Sequence, residues 1–340
     1  MNRIPALFKL LFASLICCLA LLACTSEQAE PEILGYPVPA GFPDVPEPEG
    51  NEWSVARWTL GQKLFFDTRL SKDNSVSCAS CHKPELAFAD NKSTTPGAFG
   101  RPGTKNAPSL ANVAYHPYFM REGGVPTLEM QVLVPIQEHN EFAHNILEIA
   151  EALRADAELD SLSHLAYERT LDPFVLTRAI SVFERSLLSG TSRYDLYERG
   201  AEMALSGQEQ FGRQLFFSEK TGCTSCHGGV LFSNFEITNN GQDTTFADIG
   251  LERLTSNPED RYQYKTPSLR NVAITGPYMH NGRMHSLEDV IDHYNAGGIS
   301  HKYADKRIEP LGLNTSEKAA LVAFLRSLTD ERFLESDWRP

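Results

Sequence analysis

Two short motifs of identical spacing carry the clearest chemistry in this sequence. Each has two cysteines separated by two residues and followed directly by a histidine. C-x-x-C-H is the attachment pattern of a c-type haem. Two thiols about one turn apart can reach the two vinyl groups of one porphyrin, and the next residue then lies under the iron. We therefore predict two covalently bound haems, held by Cys78, Cys81, His82, Cys223, Cys226 and His227.

Other uses of paired cysteines explain these motifs less well. A four-cysteine zinc site needs no histidine after each pair. A thioredoxin-like dithiol would be a single motif near a βαβ pattern, which the sequence lacks. An exported protein can also form disulfides with such cysteines. The histidine that follows each pair favours haem over all three.

The elements around the motifs are predicted to be helices joined by long loops. Helix starts are indicated by an Asp-Pro pair and by a capping box, and one helix end by a glycine. Alternating strand patterns are scarce, and Gly and Pro are concentrated in long connecting stretches. The predicted helices cover Trp53 to Phe66, Pro173 to Gly190, the segment after Ser206, and Ser316 to Leu328.

An internal repeat indicates a duplicated helical domain. Leu-Phe-Phe precedes both cysteine motifs, and a Pro-Ser-Leu segment follows each, at 108–110 and at 267–269. We predict a mostly α-helical fold with two domains, each carrying one haem. The predicted boundaries are a signal peptide over 1–24, a flexible tether over 25–50, an N-terminal domain over 51–203 and a C-terminal domain over 204–332.

The N-terminus predicts export. Arg3 and Lys9 precede an apolar run from Leu10 to Ala23 that is too short for a mature membrane span. The ending Leu-Leu-Ala-Cys24 resembles a bacterial lipobox, which implies acylation of Cys24 and leaves the membrane contacted only through that lipid. A plain signal peptide is the alternative. The formal charge of -13 and the lack of a basic cluster argue against nucleic-acid binding.

Several longer phrases resemble the bacterial di-haem cytochrome c peroxidase family, which includes MauG. The resemblance covers nearly all of 51–330, and its phrases lie at 81–90, 105–110 and 277–283. It implies two cytochrome-c-like domains and a periplasmic peroxidase, which the lipobox at Cys24 would make a lipoprotein anchored to the outer membrane. Such an enzyme reduces hydrogen peroxide to water with electrons from a small cytochrome c or cupredoxin. The resemblance also suggests a homodimer.

The same resemblance assigns the acid–base group. In the family, a Glu follows a Gln by ten residues with a Pro between them, and Gln131, Pro135 and Glu141 match that spacing. The implied role of Glu141 is to move a proton between the two peroxide oxygens. Gln131 is its implied hydrogen-bonding partner. His139 and His144 are alternative bases.

Two departures from the family concern the first haem and the route between the haems. Many relatives have a loop histidine that caps the peroxidatic iron, but no histidine lies between Lys83 and Tyr115. The first haem is therefore expected to be open at rest, and His116 is the nearest alternative ligand. Where the family often has a tryptophan relay between the haems, this chain has Arg121.

The resemblance also implies a second protein ligand for the iron of the C-terminal haem, and a set of ligands for calcium. Tyr294 matches the MauG-like ligand of the C-terminal haem, whose identity sets the role of that haem. Met279 and Met284 are the alternatives. Asn106, Thr275 and Pro277 match the protein ligands of a calcium ion that the family holds between its domains.

The sequence leaves two other functions open. A MauG-like enzyme would use peroxide-derived oxidising equivalents to oxidise residues of a partner protein; Tyr294 and the missing loop histidine favour it, whereas Arg121 argues against it. A non-enzymatic di-haem electron carrier would have two six-coordinate haems and would consume no peroxide.

Overall fold

The structure is a computed structural model that describes residues 35–245 and 247–340. It is mostly helical, as predicted, with one two-stranded antiparallel sheet formed by β1 (Ile237–Thr238) and β2 (Tyr264–Lys265). The predicted signal peptide, with Cys24, lies outside the described residues. The α-helices in chain order, α1 to α13, are Val55–Phe65, Cys78–Cys81, Leu128–Gln131, Leu133–Gln137, Ile146–Arg154, Ala157–Tyr167, Pro173–Arg185, Arg193–Glu198, Gly207–Phe216, Glu252–Thr255, Leu287–Asn295, Thr315–Arg326 and Glu331–Glu335.

Short 3-10 turns connect these helices. They lie at Thr68–Leu70, Pro84–Leu86, Ala98–Gly100, Val113–Tyr115, Glu202–Ala204, Cys223–Ser225 and Pro258–Asp260. Among the described residues, no helix is long and apolar enough to cross a membrane.

Two helix pairs of the same design form the two apolar clusters of the core. In the first, α1 packs on α7; in the second, α9 packs on α12. Each crossing is made close by a glycine. A Cβ on Gly61 would lie 1.9 Å from the carbonyl oxygen of Ala179, and a Cβ on Gly212 would lie 1.9 Å from that of Ala320. Any larger residue would force these helices apart.

The internal repeat extends to individual hydrogen bonds. The Ser109 hydroxyl donates to the carbonyl of Ala87, and the Ser268 hydroxyl donates to that of Leu231, both at 2.6 Å. Asn112 and Asn271, three residues after these serines, both have positive φ angles. The Pro-Ser-Leu segments therefore hold equivalent loops against the two cysteine motifs.

The helix starts agree closely with the sequence signals, and the ends less so. Asp172 caps α7 through a 3.0 Å bond from the Val175 amide, and Ser206 forms a capping box with Glu209. Helix α7 ends at Arg185, before the predicted stop at Gly190. The reason is that the chain after the helix bonds to Asn112. The backbone N–H of Asn112 donates to the Leu187 carbonyl at 2.7 Å.

Residues 35–50, which the sequence predicts to be part of a flexible tether, pack against the folded body. The Pro43 carbonyl accepts a 2.9 Å bond from the Tyr115 hydroxyl, and the Phe42 ring lies under the Arg270 guanidinium at 4.6 Å. At the other end, Phe333 and Trp338 pack into the first apolar cluster. Both ends of the described chain are therefore fixed on the domain bodies.

Candidate active site

The first cysteine motif is the short helix α2, capped by a reciprocal pair of serines. The Ser77 amide donates to the Ser80 hydroxyl at 2.9 Å. His82 follows the helix, and its Nδ1 lies 2.9 Å from the Phe88 carbonyl oxygen. Because a carbonyl only accepts, Nδ1 must carry the proton, which leaves the Nε2 lone pair for a metal.

The second motif repeats this arrangement with a tighter turn. Cys223–Ser225 is a 3-10 turn, and the Nδ1 of His227 lies 3.0 Å from the Phe232 carbonyl oxygen. Phe88 and Phe232 have φ angles of 58° and 52°, so the backbone at each residue turns in the left-handed region. The equivalent loops of the two repeats thus fix the same imidazole tautomer.

The surroundings of both motifs suit covalent haem attachment. No disulfide joins the four cysteines of the motifs, and all four are partly buried. Burial lowers the pKa of His82 and His227, against the opposing effect of nearby carbonyls. A neutral imidazole with its Nδ1 proton engaged is the form that binds iron through Nε2, so these residues fit two c-type haems.

Glu141 lies in a tight loop that folds back on α4. The Phe142 amide donates to the Pro135 carbonyl at 3.1 Å, and the Ala98 amide donates to the Glu141 carbonyl at 2.7 Å. Gly97 makes this approach possible, since a Cβ there would lie 2.2 Å from the Asn140 carbonyl oxygen and 2.5 Å from that of Glu141. The backbone of Glu141 is therefore held from two sides.

The Glu141 side chain is exposed, yet protein surrounds it on several sides. Desolvation raises the pKa of its carboxyl, the neighbouring Glu138 carboxylate raises it further, and Lys105 lowers it. Its charge in turn contributes to the raised pKa of Cys81. The carboxyl thus lies within electrostatic reach of the first motif, in surroundings that favour its protonated form more than water does.

The other predicted groups near Glu141 have distinct positions. Gln131 ends α3, on the helical segment that continues into α4 with Pro135. His139 is exposed beside Arg101, which donates to its carbonyl at 3.0 Å. The Nδ1 of His144 accepts a 2.8 Å bond from the next amide nitrogen. Because His144 is already bonded to its own backbone, it is less suited than Glu141 to exchange a proton with a substrate.

The structure brings two of the proposed ligands of the second haem together. The Nδ2 of Asn240 lies 3.0 Å from the Met279 sulfur and 3.3 Å from the Tyr294 hydroxyl. Desolvation raises the pKa of Tyr294, and Cys226 and Cys223 contribute to that rise, while the Asn240 bond lowers it. Tyr294 is therefore near the second motif. Met284 is paired through its backbone carbonyl with the Tyr278 amide.

Comparisons with known proteins identify the family of this chain. A profile described as di-haem cytochrome c peroxidase matches residues 55–203. MauG of Methylorubrum extorquens is 34% identical over 84% of this chain and 82% of its own. The chain belongs to the di-haem cytochrome c peroxidase family.

Two further relatives extend the match over most of the chain. The cytochrome-c peroxidase IdrP1 of a Pseudomonas species is 32% identical and covers 99% of this chain and 96% of its own. The crystal structure of a MauG-like protein associated with microbial copper homeostasis is 33% identical, with a TM-score of 0.84 over 90% of this chain and 98% of that one. Family membership implies two c-type haems and an oxidoreductase activity.

The calcium ligands expected from the sequence do not fit a calcium ion here. The Nη2 of Arg121 donates to both the backbone oxygen of Asn106, at 2.9 Å, and its side-chain oxygen. The Nδ2 of the same amide donates to the Pro277 carbonyl at 2.8 Å. Calcium needs oxygens directed at one point, whereas Asn106 directs a nitrogen at Pro277. The Thr275 hydroxyl donates to the Val272 carbonyl at 3.5 Å.

His116, the alternative iron ligand, is packed between the two halves of the chain. Its ring lies 4.7 Å from that of Phe235, and its Nδ1 lies 3.5 Å from the Lys265 ammonium. Burial and the Lys265 charge lower the pKa of His116 to about 3. The imidazole is therefore neutral and fixed in the contact between the halves.

Sequence reasoning missed two residues at the site. Asn240 lies 39 residues from Met279 and 54 from Tyr294, so no local pattern connects the three. Gly97 belongs to a Gly- and Pro-rich stretch that indicates only a loop. Gly97 matters because it has no side chain where the chain passes close to Glu141. This is apparent only once the fold is known.

Proposed function

We propose that this protein is a periplasmic di-haem peroxidase that reduces hydrogen peroxide to water. Two electrons and two protons are consumed for each peroxide, and two water molecules are formed. A small redox protein, a cytochrome c or a cupredoxin, supplies the electrons one at a time. The observation that carries the proposal is the carboxyl of Glu141, which is held by its backbone near the first cysteine motif with a raised pKa.

The residues of each motif would hold one haem. Cys78 and Cys81 would form the thioethers in the N-terminal half and His82 would ligate the iron; Cys223, Cys226 and His227 would do so in the C-terminal half. When bound, the haems supply redox-active iron. The hydrogen bonds to Phe88 and Phe232 keep the two ligand rings in place and increase their electron donation.

Glu141 would handle the proton of the substrate. Its carboxylate accepts the proton from one oxygen of the peroxide and returns it to the other, so that the departing group leaves as water instead of hydroxide. A raised pKa suits this exchange, because the group must both accept and release the proton near working pH. Gln131 would orient the peroxide by hydrogen bonding.

The C-terminal half would receive electrons from the donor. Tyr294 would be the second ligand there, with Met279 as the alternative, and Asn240 lies within bonding distance of both. A phenolate ligand favours the oxidised state of iron more than a thioether does. The spectrum of the resting protein would distinguish the two ligands.

The decisive experiment measures stoichiometry in the purified protein carrying both haems. Reduced cytochrome c or cupredoxin is mixed with hydrogen peroxide, and both are followed. We expect two donor molecules to be oxidised for each peroxide lost. Loss of neither reactant with any donor would refute the proposal and favour a plain electron carrier.

A MauG-like activity is the second candidate, favoured by the position of Tyr294 near the second motif. The oxidising equivalents of peroxide would then oxidise an aromatic residue of a partner protein. Mass spectrometry of candidate partners after peroxide treatment would detect added oxygen or lost hydrogen. Unmodified partners, together with donor oxidation, would favour the peroxidase.

The proposal also includes the location and the domain plan. Residues 1–24 would be the export signal, Cys24 would carry a lipid that anchors the protein to the outer membrane, and residues 25–34 would connect it to the folded body. The haem domains would cover 51–203 and 204–332, and the protein would form a homodimer. Labelling with a radioactive fatty acid, with and without Cys24→Ala, would test the anchor.

A further inference from the structure

Arg121 lies where the two halves of the chain meet. Its backbone carbonyl accepts a 2.7 Å bond from the amide nitrogen of Lys265, in strand β2 of the C-terminal half. Its guanidinium donates to two oxygens of Asn106, one from the backbone and one from the side chain. Asn106 then continues the connection through its bond to Pro277. Arg121 therefore contacts both halves of the chain, and it orients the Asn106 side chain that bonds to Pro277.

The orientation of the Asn106 amide follows from the chemistry of the guanidinium. An arginine side chain has five N–H donors and no acceptor, and it remains charged in proteins. The amide oxygen must therefore face Arg121, and the amide nitrogen is left to donate to the Pro277 carbonyl. A bound calcium ion would require the reverse, with the amide and Pro277 oxygens directed at the same point.

The carboxylates around this point are already paired with cationic side chains. The Glu122 carboxylate is buried and pairs with Lys105, and Arg253 lies 3.5 Å away from it. Lys105 also contacts Asp248 at 2.8 Å. With Arg121, three cationic side chains face two carboxylates. A divalent cation added here would meet repulsion without an unpaired carboxylate to compensate.

The positive charge of Arg121 also affects Lys265. Desolvation and the Arg121 charge lower the pKa of Lys265 to about 8. The ammonium of Lys265 donates to the Tyr118 carbonyl at 3.0 Å, so its position is fixed by the same contact between the halves. The Arg121 charge therefore acts on neighbouring cations at this contact and would also repel a metal cation.

We propose that the guanidinium of Arg121 is a built-in cation that joins the two halves of this protein in place of a bound calcium ion. The inference concerns the contact between the halves and is independent of the reaction at Glu141. It corrects the expectation, drawn from family resemblance, that Asn106, Thr275 and Pro277 ligate calcium.

The test combines metal analysis with thermal unfolding of the protein carrying both haems. Wild type is dialysed in calcium and then in buffer, and its calcium content is measured by mass spectrometry. Its Tm is measured with calcium and with EDTA. We expect less than one tenth of a calcium per chain and the same Tm in both conditions. One retained calcium per chain, or a Tm lowered by EDTA, would overturn the proposal.

Two substitutions extend the test. Arg121→Met removes the charge at similar length and frees Asn106 to turn; we expect a lower Tm that calcium partly restores, with one calcium bound per chain by calorimetry. Arg121→Lys keeps a cation and should remain insensitive to calcium. Arg253→Gln, at an exposed position nearby, is the control. A stable Arg121→Met that binds no calcium would contradict the proposal, and if this variant does not fold, the wild-type measurements still decide.

Discussion

A methyl group at Gly97 should displace the Glu141 carboxyl, the proposed acid–base group, by pushing on its backbone. The shortest contacts of a Cβ there would be 2.2 Å to the Asn140 carbonyl oxygen and 2.5 Å to that of Glu141. Real Cβ contacts are essentially never shorter than 3.0 Å, so the loop must move by about 0.8 Å. A displacement of ~1 Å can cost about 10²-fold in rate, and we expect Gly97→Ala to lower peroxide turnover by roughly 10- to 100-fold.

The assay is steady-state oxidation of reduced cytochrome c by peroxide, with haem content measured by pyridine haemochrome. Both haems should remain attached in Gly97→Ala, since the cysteine motifs are elsewhere in the chain. Gly207→Ala is the matched control, because no atom lies within 4 Å of a Cβ at that position. If Gly97→Ala keeps wild-type turnover with a full haem content, the positioning of Glu141 by this loop is refuted.

The remaining predictions concern proton transfer and the second ligand. Glu141→Gln should lower peroxide turnover by about 10²- to 10⁴-fold in the same assay. Because the carboxylate must be unprotonated to accept the substrate proton, kcat/KM should fall as pH drops through the raised pKa of Glu141. Glu138→Gln removes a like charge that raises this pKa, so the acid limb of the pH profile should move to lower pH. Tyr294→Phe should change the absorption and electron paramagnetic resonance spectra of one haem, whereas Met279→Leu should leave the ligand-dependent bands in place.

Each of these predictions has a contrary outcome. Unchanged turnover in Glu141→Gln would remove its proton-transfer role, and an acid limb unmoved by Glu138→Gln would assign that limb to another group. If Met279→Leu alters the spectrum and Tyr294→Phe does not, methionine is the ligand.

The elements with local signals could be predicted from the sequence. Asp172 with Pro173, and Ser206 with Glu209, are capping patterns whose partners lie within three residues, and both helices begin where these patterns indicate. The cysteine motifs are equally local. Family membership, which resemblance predicted, is confirmed by relatives that align over most of the chain.

What the sequence could not supply were contacts between distant segments. The end of α7 depends on Asn112, some 75 residues earlier, and the packing of residues 35–50 depends on Tyr115 and Arg270. Whether Asn106 can ligate calcium also depends on a contact with a distant segment. Asn106 is the residue type expected of a calcium ligand, but the guanidinium of Arg121 determines where its side-chain oxygen points.

The central claim is that peroxide reacts at an accessible first haem served by Glu141. It is tested most directly by electron paramagnetic resonance of the ferric protein carrying both haems, before and after one equivalent of peroxide. The account predicts one high-spin and one low-spin haem at rest, with the high-spin signal lost on adding peroxide to wild type and retained for far longer in Glu141→Gln. Two low-spin haems that ignore peroxide in every oxidation state would contradict it.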